Sequence, residues 1–312
     1  MSTSQGLTRP RIVFLLASVC CLLWGSAYPA IKVGYGLFAI ARDDIASQLV
    51  FAGYRFAGAG ILLLLFALLV GKSLRGLAPR QVLGLGFLGL FQTSLQYVFF
   101  YIGLAHTTGV KASILNAVGA FFGVLIAHFV YHNDRLSWRK VAGCALGFSG
   151  VVAVNLGADM ALDFHLLGEG FIILAALVLA SASMVGKRMS QHMDSVVMTG
   201  YQLTVGGVAL WMAGWWSGGT LHSFTWQSSL LLAYLAVLSA VAFALWGALL
   251  KVNKVSEITV YNFLIPIFGA ALSALFLGES LWAWKNLIAL VLVSVGIWWV
   301  TRGEPPSQPR NV

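Results

Sequence analysis

The sequence predicts an all-α membrane protein, with ten transmembrane helices arranged as two inverted five-helix repeats. Three observations carry that prediction. Of the 312 residues, 59% are hydrophobic and only 9% charged, whereas a soluble domain carries about 25% charged residues. Apolar runs near the roughly 20 residues needed to cross a hydrocarbon core of about 30 Å recur from Ile12 onward. Lipid offers the backbone no hydrogen-bond partner, so such runs must be helices or a closed barrel, and they lack the alternation of barrel strands. Finally, the basic residues fall between the runs with a bias that fits ten crossings.

Read against their polar breaks, the first five spans lie near 12–31, 48–70, 82–104, 110–131 and 141–158. The second five lie near 167–186, 196–216, 228–250, 258–277 and 281–300. Residues 1–11 are then a cytoplasmic N-terminus, and 302–312 (RGEPPSQPRNV) read as a disordered cytoplasmic tail. Arg9 and Arg11 precede the first run as the basic region of a signal peptide would. That run is too long for a cleaved signal and holds Trp24, Tyr28 and Pro29, so it reads as a retained span.

With the N-terminus cytoplasmic, the inside loops and ends collect Arg9, Arg11, Lys72, Arg75, Arg80, Arg135, Arg139, Lys140, Lys187, Arg188, Lys251, Lys254, Arg302 and Arg310. The outside keeps Lys32, Arg42, Lys111 and Lys285, and the connection after the fifth span carries Asp159, Asp163 and Glu169 without a basic residue. Losing one span would scramble this alternation, so both termini are expected inside a bacterial inner membrane. The formal charge of +9 is thereby a topology signal, and nucleic acid is not an expected partner. Cys20, Cys21 and Cys144 lie inside apolar runs and read as small buried hydrophobes.

A constant shift aligns Leu104 with Leu249, Val110 with Val255, Asp134 with Glu279, Leu136 with Leu281 and Lys140 with Lys285. Gly53-Tyr54-Arg55 matches Gly200-Tyr201-Gln202 in the same order along the chain. Duplication of a five-helix unit accounts for these matches together. Because five is odd, the two copies face opposite ways, the arrangement that supports alternating access around a midplane site.

These residues resemble the drug/metabolite transporter superfamily, EamA type, over nearly the whole chain. The resemblance rests on LLWGSAYPAIK, the arginine of YRFAGAG, AHTTGVKASIL through NDRLSWRK, and KVNKVSEITVYNFLIPIFGAALSALFLGESLWAWK. It implies EamA repeats over 12–158 and 167–301, a basket of helices around a central cavity with the fifth and tenth helices peripheral, and efflux or exchange of amino acids, metabolites or drugs. Pro266 and Glu279 match the family's usual residues in the second copy. In the first, Phe121 stands at the proline position and Asp134 at the glutamate position.

Arg55 is the leading site residue, since a central arginine costs about 2.5–3.5 kcal/mol on insertion scales and needs compensation. It anchors an anionic solute group, or it is a structural arginine that bonds helix carbonyls or snorkels. Its counterpart Gln202 is neutral. In the third span Gln92 and Gln96 are four apart and share an α-helical face near Tyr97 and Tyr101. That stripe lines a cavity or bonds neighbouring helices. Ser26, Asn116 and Asn262 belong to the same polar set. Trp24, Tyr28, Trp246 and Tyr261 fall inside spans and form either a solute wall or core packing, whereas Trp282, Trp284, Trp298 and Trp299 read as interfacial belt. Pro266 is a hinge candidate or a static kink. Gly143, Gly147 and Gly150 suggest close helix packing.

Asp134, Glu257 and Glu279 all border span ends, which argues against a midplane proton relay. No Walker loop, metal cluster or catalytic constellation is present, so no cofactor, metal or enzymatic role is expected. The expected partners are a small-molecule solute and the bilayer. A lipid-handling protein or membrane enzyme without solute transport is the alternative function, and a receptor or assembly subunit a third.

Overall fold

The computed structural model describes residues 7–130, 137–155, 163–190, 192–253, 258, 260–280 and 283–301. They form ten helical rods: α1 (Pro10–Leu37), α2 (Ile45–Leu69), α3 (Pro79–His106), α4 (Gly109–Asn116 continuing as Gly119–Val130), α5 (Trp138–Val154), α6 (Leu166–Ser190), α7 (Ser195–Trp216), α8 (Trp226–Val252), α9 (Leu264–Leu277) and α10 (Trp284–Thr301). Seven are long and apolar enough to cross a bilayer, while Leu264–Leu277 and Trp284–Trp299 are shorter apolar helices. The residues beyond 301, together with Asp134, Arg135, Leu136, Asp159, Lys254, Val255, Glu257, Leu281 and Trp282, lie outside the described set.

Sequence sets the helix ends as well as their interiors. Asp44 accepts a hydrogen bond from the Ser47 amide at 2.9 Å, and Asp194 from the Val196 amide at 2.9 Å. Thr108 and Thr225 serve α4 and α8 in the same way. Each satisfies backbone donors that the first turn leaves open, a contribution of about 1 kcal/mol.

The packing has an internal two-fold. α1 packs on α8 and α9 while α6 packs on α3 and α4; α2 also touches α8 as α7 touches α3; α2 pairs with α7, α5 with α10 and α4 with α9. Adding five to each label of the first half reproduces the second. The α2–α7 contact fixes the sense of the repeat. A Cβ on Gly53 would meet the Trp211 amide nitrogen at 2.5 Å, one on Gly60 would meet Gly200 and Thr204, and one on Gly214 would meet Val50. Residue numbers rise on one helix as they fall on the other, so these equivalent helices are antiparallel and the repeats are inverted. Lipid tails are as apolar as leucine, so helices gain little by hydrophobic burial against each other; close backbone approach through small residues supplies the attraction. Gly150 against Val293 and Gly296 against Gly143 and Gly147 join α5 to α10 in the same manner.

Two departures from regular α-helix matter for the interior. In α3, Gly89–Leu95 is a π-helix that carries Gln92, with Gln96 opening the α-helical segment after it, and both side-chain oxygens are buried. In α4, the Phe121 amide bonds Val118 and the Ala120 amide bonds Ala117, a 3₁₀ pattern between the two α segments. The aligned stretch of the second repeat, Val260–Phe263, is a 3₁₀-helix leading into α9. Pro266 lies in the first turn of α9, where its missing N–H costs little.

Candidate functional site

Arg55 sits ten residues into the 25-residue α2, about 15 Å from its start at 1.5 Å per residue, near the middle of the bilayer. It is 2% exposed. Its Nε donates to Ser239 Oγ of α8 at 2.9 Å and its Nη1 to the Tyr101 hydroxyl of α3 at 3.1 Å. The guanidinium lies 4.7 Å from the Phe56 ring centroid and 6.0 Å from that of Tyr97. Hydrogen bonds from a charged donor contribute about 1.5–3 kcal/mol each, and a desolvated cation–π contact about 2. Together these offset the insertion cost without a carboxylate, and none pairs with Arg55 among the described residues.

An aromatic shell surrounds this charge. Tyr35 donates its hydroxyl to the Tyr101 carbonyl at 3.0 Å, Phe51 and Tyr97 each pack against Tyr101, and Phe100 bridges Tyr97 to Tyr28. Tyr28 in turn accepts a hydrogen bond from Asn116 Nδ2 at 3.0 Å. Arg55, Tyr97, Tyr101, Tyr28 and Asn116 are therefore one connected group across α1 to α4. Gln96 adjoins it on the same helix, 2% exposed. The Gln92, Gln96 and Asn116 side-chain oxygens are buried without a hydrogen-bond partner, a state that costs about 1–3 kcal/mol per group until a donor arrives.

The remaining candidates sit elsewhere. Trp24 packs edge-on against Trp246 at 5.1 Å and against Phe243, on the α1–α8 face. Tyr261 contacts Phe14, and Asn262 is half-buried on the 3₁₀ turn before α9. Ser26 shares a 2.6 Å hydrogen bond with Tyr234, which lines an apolar groove of about 510 Å³ with Leu37, Trp226, Gln227, Leu230 and Leu231.

The repeat two-fold carries through to the site. Arg55 of α2 bonds Ser239 of α8, and its counterpart Gln202 of α7 bonds Thr93 of α3 at 3.4 Å. One half places a charge where the other places an amide. Ser239 had no signal in the sequence, because a serine in an apolar span looks like a small packing residue.

A second cluster was missed by sequence reasoning. It joins the connections that follow α1, α3, α5 and α9, here called the distal end. Glu279 accepts the Gly109 amide at 2.9 Å and the Val110 amide at 2.8 Å, with Lys32 Nζ 3.9 Å away. Gly278, at φ 64°, turns the chain back to deliver it. Glu169 was read as part of a charged connection; it is instead 2% exposed in the first turn of α6. It accepts hydrogen bonds from Thr107 Oγ1 at 2.7 Å and the His165 amide at 2.8 Å, and lies 2.9 Å from Lys111 Nζ. The signal was present in part, since Glu279 and Lys111 belong to motifs of the resemblance.

An inverted-repeat helical bundle enclosing a polar group at mid-bilayer is the architecture of a multi-pass membrane transporter. The chain belongs to the EamA-like transporter family, whose pattern matches residues 11–156 and 166–302. It is similar to YedA of Escherichia coli (strain K12), named as an uncharacterized inner membrane transporter, at 27% identity over 88% of both chains. It is also similar to the "Probable amino-acid metabolite efflux pump" of the same strain, at 25% identity over 91% of this chain and 93% of that protein. A solved crystal structure shares the fold with a TM-score of 0.67 at 19% identity, covering 93% of this chain and 96% of its own.

Proposed function

We propose that this transporter is a secondary carrier that exports or exchanges small zwitterionic solutes, amino acids or related metabolites, by alternating access. The observation that carries the reading is Arg55, a fixed cation at mid-bilayer held by neutral groups among the described residues, in an aromatic network that extends to Asn116, whose carboxamide oxygen lacks a donor. The guanidinium recognises a carboxylate bidentately and a carboxamide oxygen accepts from an ammonium, so the two features are complementary to a zwitterion. Tyr28, Tyr97 and Tyr101 supply a wall for its apolar part. The similar efflux pump supports this solute class by its name. Arg55 is sealed here, so solute reaches it when the bundle reopens, with Pro266 and the aligned helix breaks of α4 and α9 as the flexing points.

The charge bias of the loops supports an inner-membrane placement with the Pro10 end of α1 and the Thr301 end of α10 on the cytoplasmic side, and the distal end outside. The test is uptake and exchange in proteoliposomes over a panel of amino acids and related metabolites. Saturable movement of at least one zwitterion supports the reading. Movement of none, under any gradient, removes it, and turnover of a lipid would establish the membrane-enzyme alternative instead.

A further inference from the structure

We propose that Glu279 is the latch of the distal gate, holding that end shut by clamping the first turn of α4, with Glu169 bracing the same turn from the other side. The inference rests on the alternating-access reading and adds to it a residue that decides which end is open.

The geometry is specific to a closure contact. Glu279 follows the end of α9 by two residues, and its two carboxylate oxygens each take one of the first two amides of α4, Gly109 and Val110. Those amides have no partner within the helix and stand at its positive end, so an anion there is held by charge as well as by hydrogen bonds. Lys32 of α1 neutralises the same carboxylate from a third helix. On the other side Glu169 binds Thr107 and Lys111, which flank the turn. One turn of α4 thus ties α1, α6 and α9 together across both repeats.

The packing is equally close. A Cβ on Gly109 would meet Ser273 Oγ of α9 at 2.5 Å and Ser273 Cβ at 3.0 Å. Any opening of the distal end between α4 and α9 must break both the carboxylate bonds and this contact. Beneath the latch, Ser113 is fully buried, and a Cβ on Gly269 would meet its Cβ at 2.6 Å. The aligned residue of the first repeat is Asp134, outside the described residues.

A labelling experiment separates the latch from the transport reading because it needs no solute. In the full chain with Cys20, Cys21 and Cys144 replaced by serine, Ser113→Cys reports the α4–α9 seam. The protein is reconstituted in proteoliposomes and a membrane-impermeant maleimide is added to each side in turn. Glu279→Ala removes the charge contacts, and Gly109→Val wedges the seam while leaving the carboxylate in place. Each variant is expected to raise labelling from the distal side by about tenfold or more, the population shift that follows loss of one charge-assisted hydrogen bond. Unchanged labelling in both variants, with monodisperse protein of unaltered thermal midpoint, would overturn the latch. So would an increase that appears only in protein that has lost its cooperative unfolding.

Discussion

Arg55 shows how a charge persists at mid-bilayer with no ion pair among the described residues. Two neutral hydroxyls and two aromatic faces share its stabilisation, so each partner has a measurable weight. Tyr101→Phe deletes one of those bonds and is expected to destabilise the protein by about 1.5–3 kcal/mol, read as a lower midpoint in denaturant-induced unfolding of the detergent-solubilised protein. Arg55→Gln copies the residue of the other repeat. It is expected to fold, because Gln202 is accommodated at the equivalent place, and to lose transport of carboxylate-bearing solutes by tenfold or more, as about 1.4 kcal/mol of lost anchoring suffices for each factor of ten. Normal transport by the folded variant would remove Arg55 from the site. At the other end of the molecule, burial alone would raise the Asp194 carboxyl. Hydrogen bonds from Lys72 and the Val197 and Val196 amides, with the attraction of Lys72, outweigh that and hold it below its ordinary value of 3.8. A carboxyl held low in the folded state contributes stability above its unfolded pKa and loses it as pH falls through the lower folded value. Lys72→Met is therefore expected to lower the thermal midpoint at pH 7, with the gap from the parent closing below about pH 4 as Asp194 protonates.

At the scale of elements, the span positions were legible in the sequence because lipid leaves the backbone a single solution and the charges mark its ends. The details that depart from regular helix were not. Gln92 and Gln96 read as one α-helical face, but a π-helix lies between α3's flanking α segments, and no local signal in GLFQTSL announces it. Glu169 read as a charged connection because hydropathy cannot see that Thr107 and Lys111, far away in sequence, satisfy it. Pro266 drew attention as a kink, yet α4 breaks at the aligned place with Phe121 there instead. The break is a property of the repeat, and proline is only its accompaniment in one copy. Pro266→Ala is accordingly expected to keep the 3₁₀ turn, with amide hydrogen exchange over 260–264 unchanged; protection rising to that of the helix interior would show that proline makes the break. Gly207 of α7 sits directly against the backbone of Phe56 and Ala57 of α2. Gly207→Ala is expected to cost about 1–3 kcal/mol through overpacking of the α2–α7 pair, seen as a lower unfolding midpoint.

For the whole molecule, the unequal contents of two equivalent halves are what connect fold to work. Under the proposed alternating access, an inverted backbone would offer two states, one opening each end, between which a small bias decides. The distal end is tied by the buried Glu169 and the partly buried Glu279, and Arg55 is enclosed by tyrosines. The charge that would hold a solute belongs to only one repeat. The most direct measurement of this account is counterflow: uptake of a labelled zwitterionic solute into proteoliposomes preloaded with the same unlabelled solute. Alternating access predicts saturable uptake that is accelerated by the solute on the far side and lost in Arg55→Gln. Flux that rises linearly with concentration and ignores the preloaded solute would contradict it.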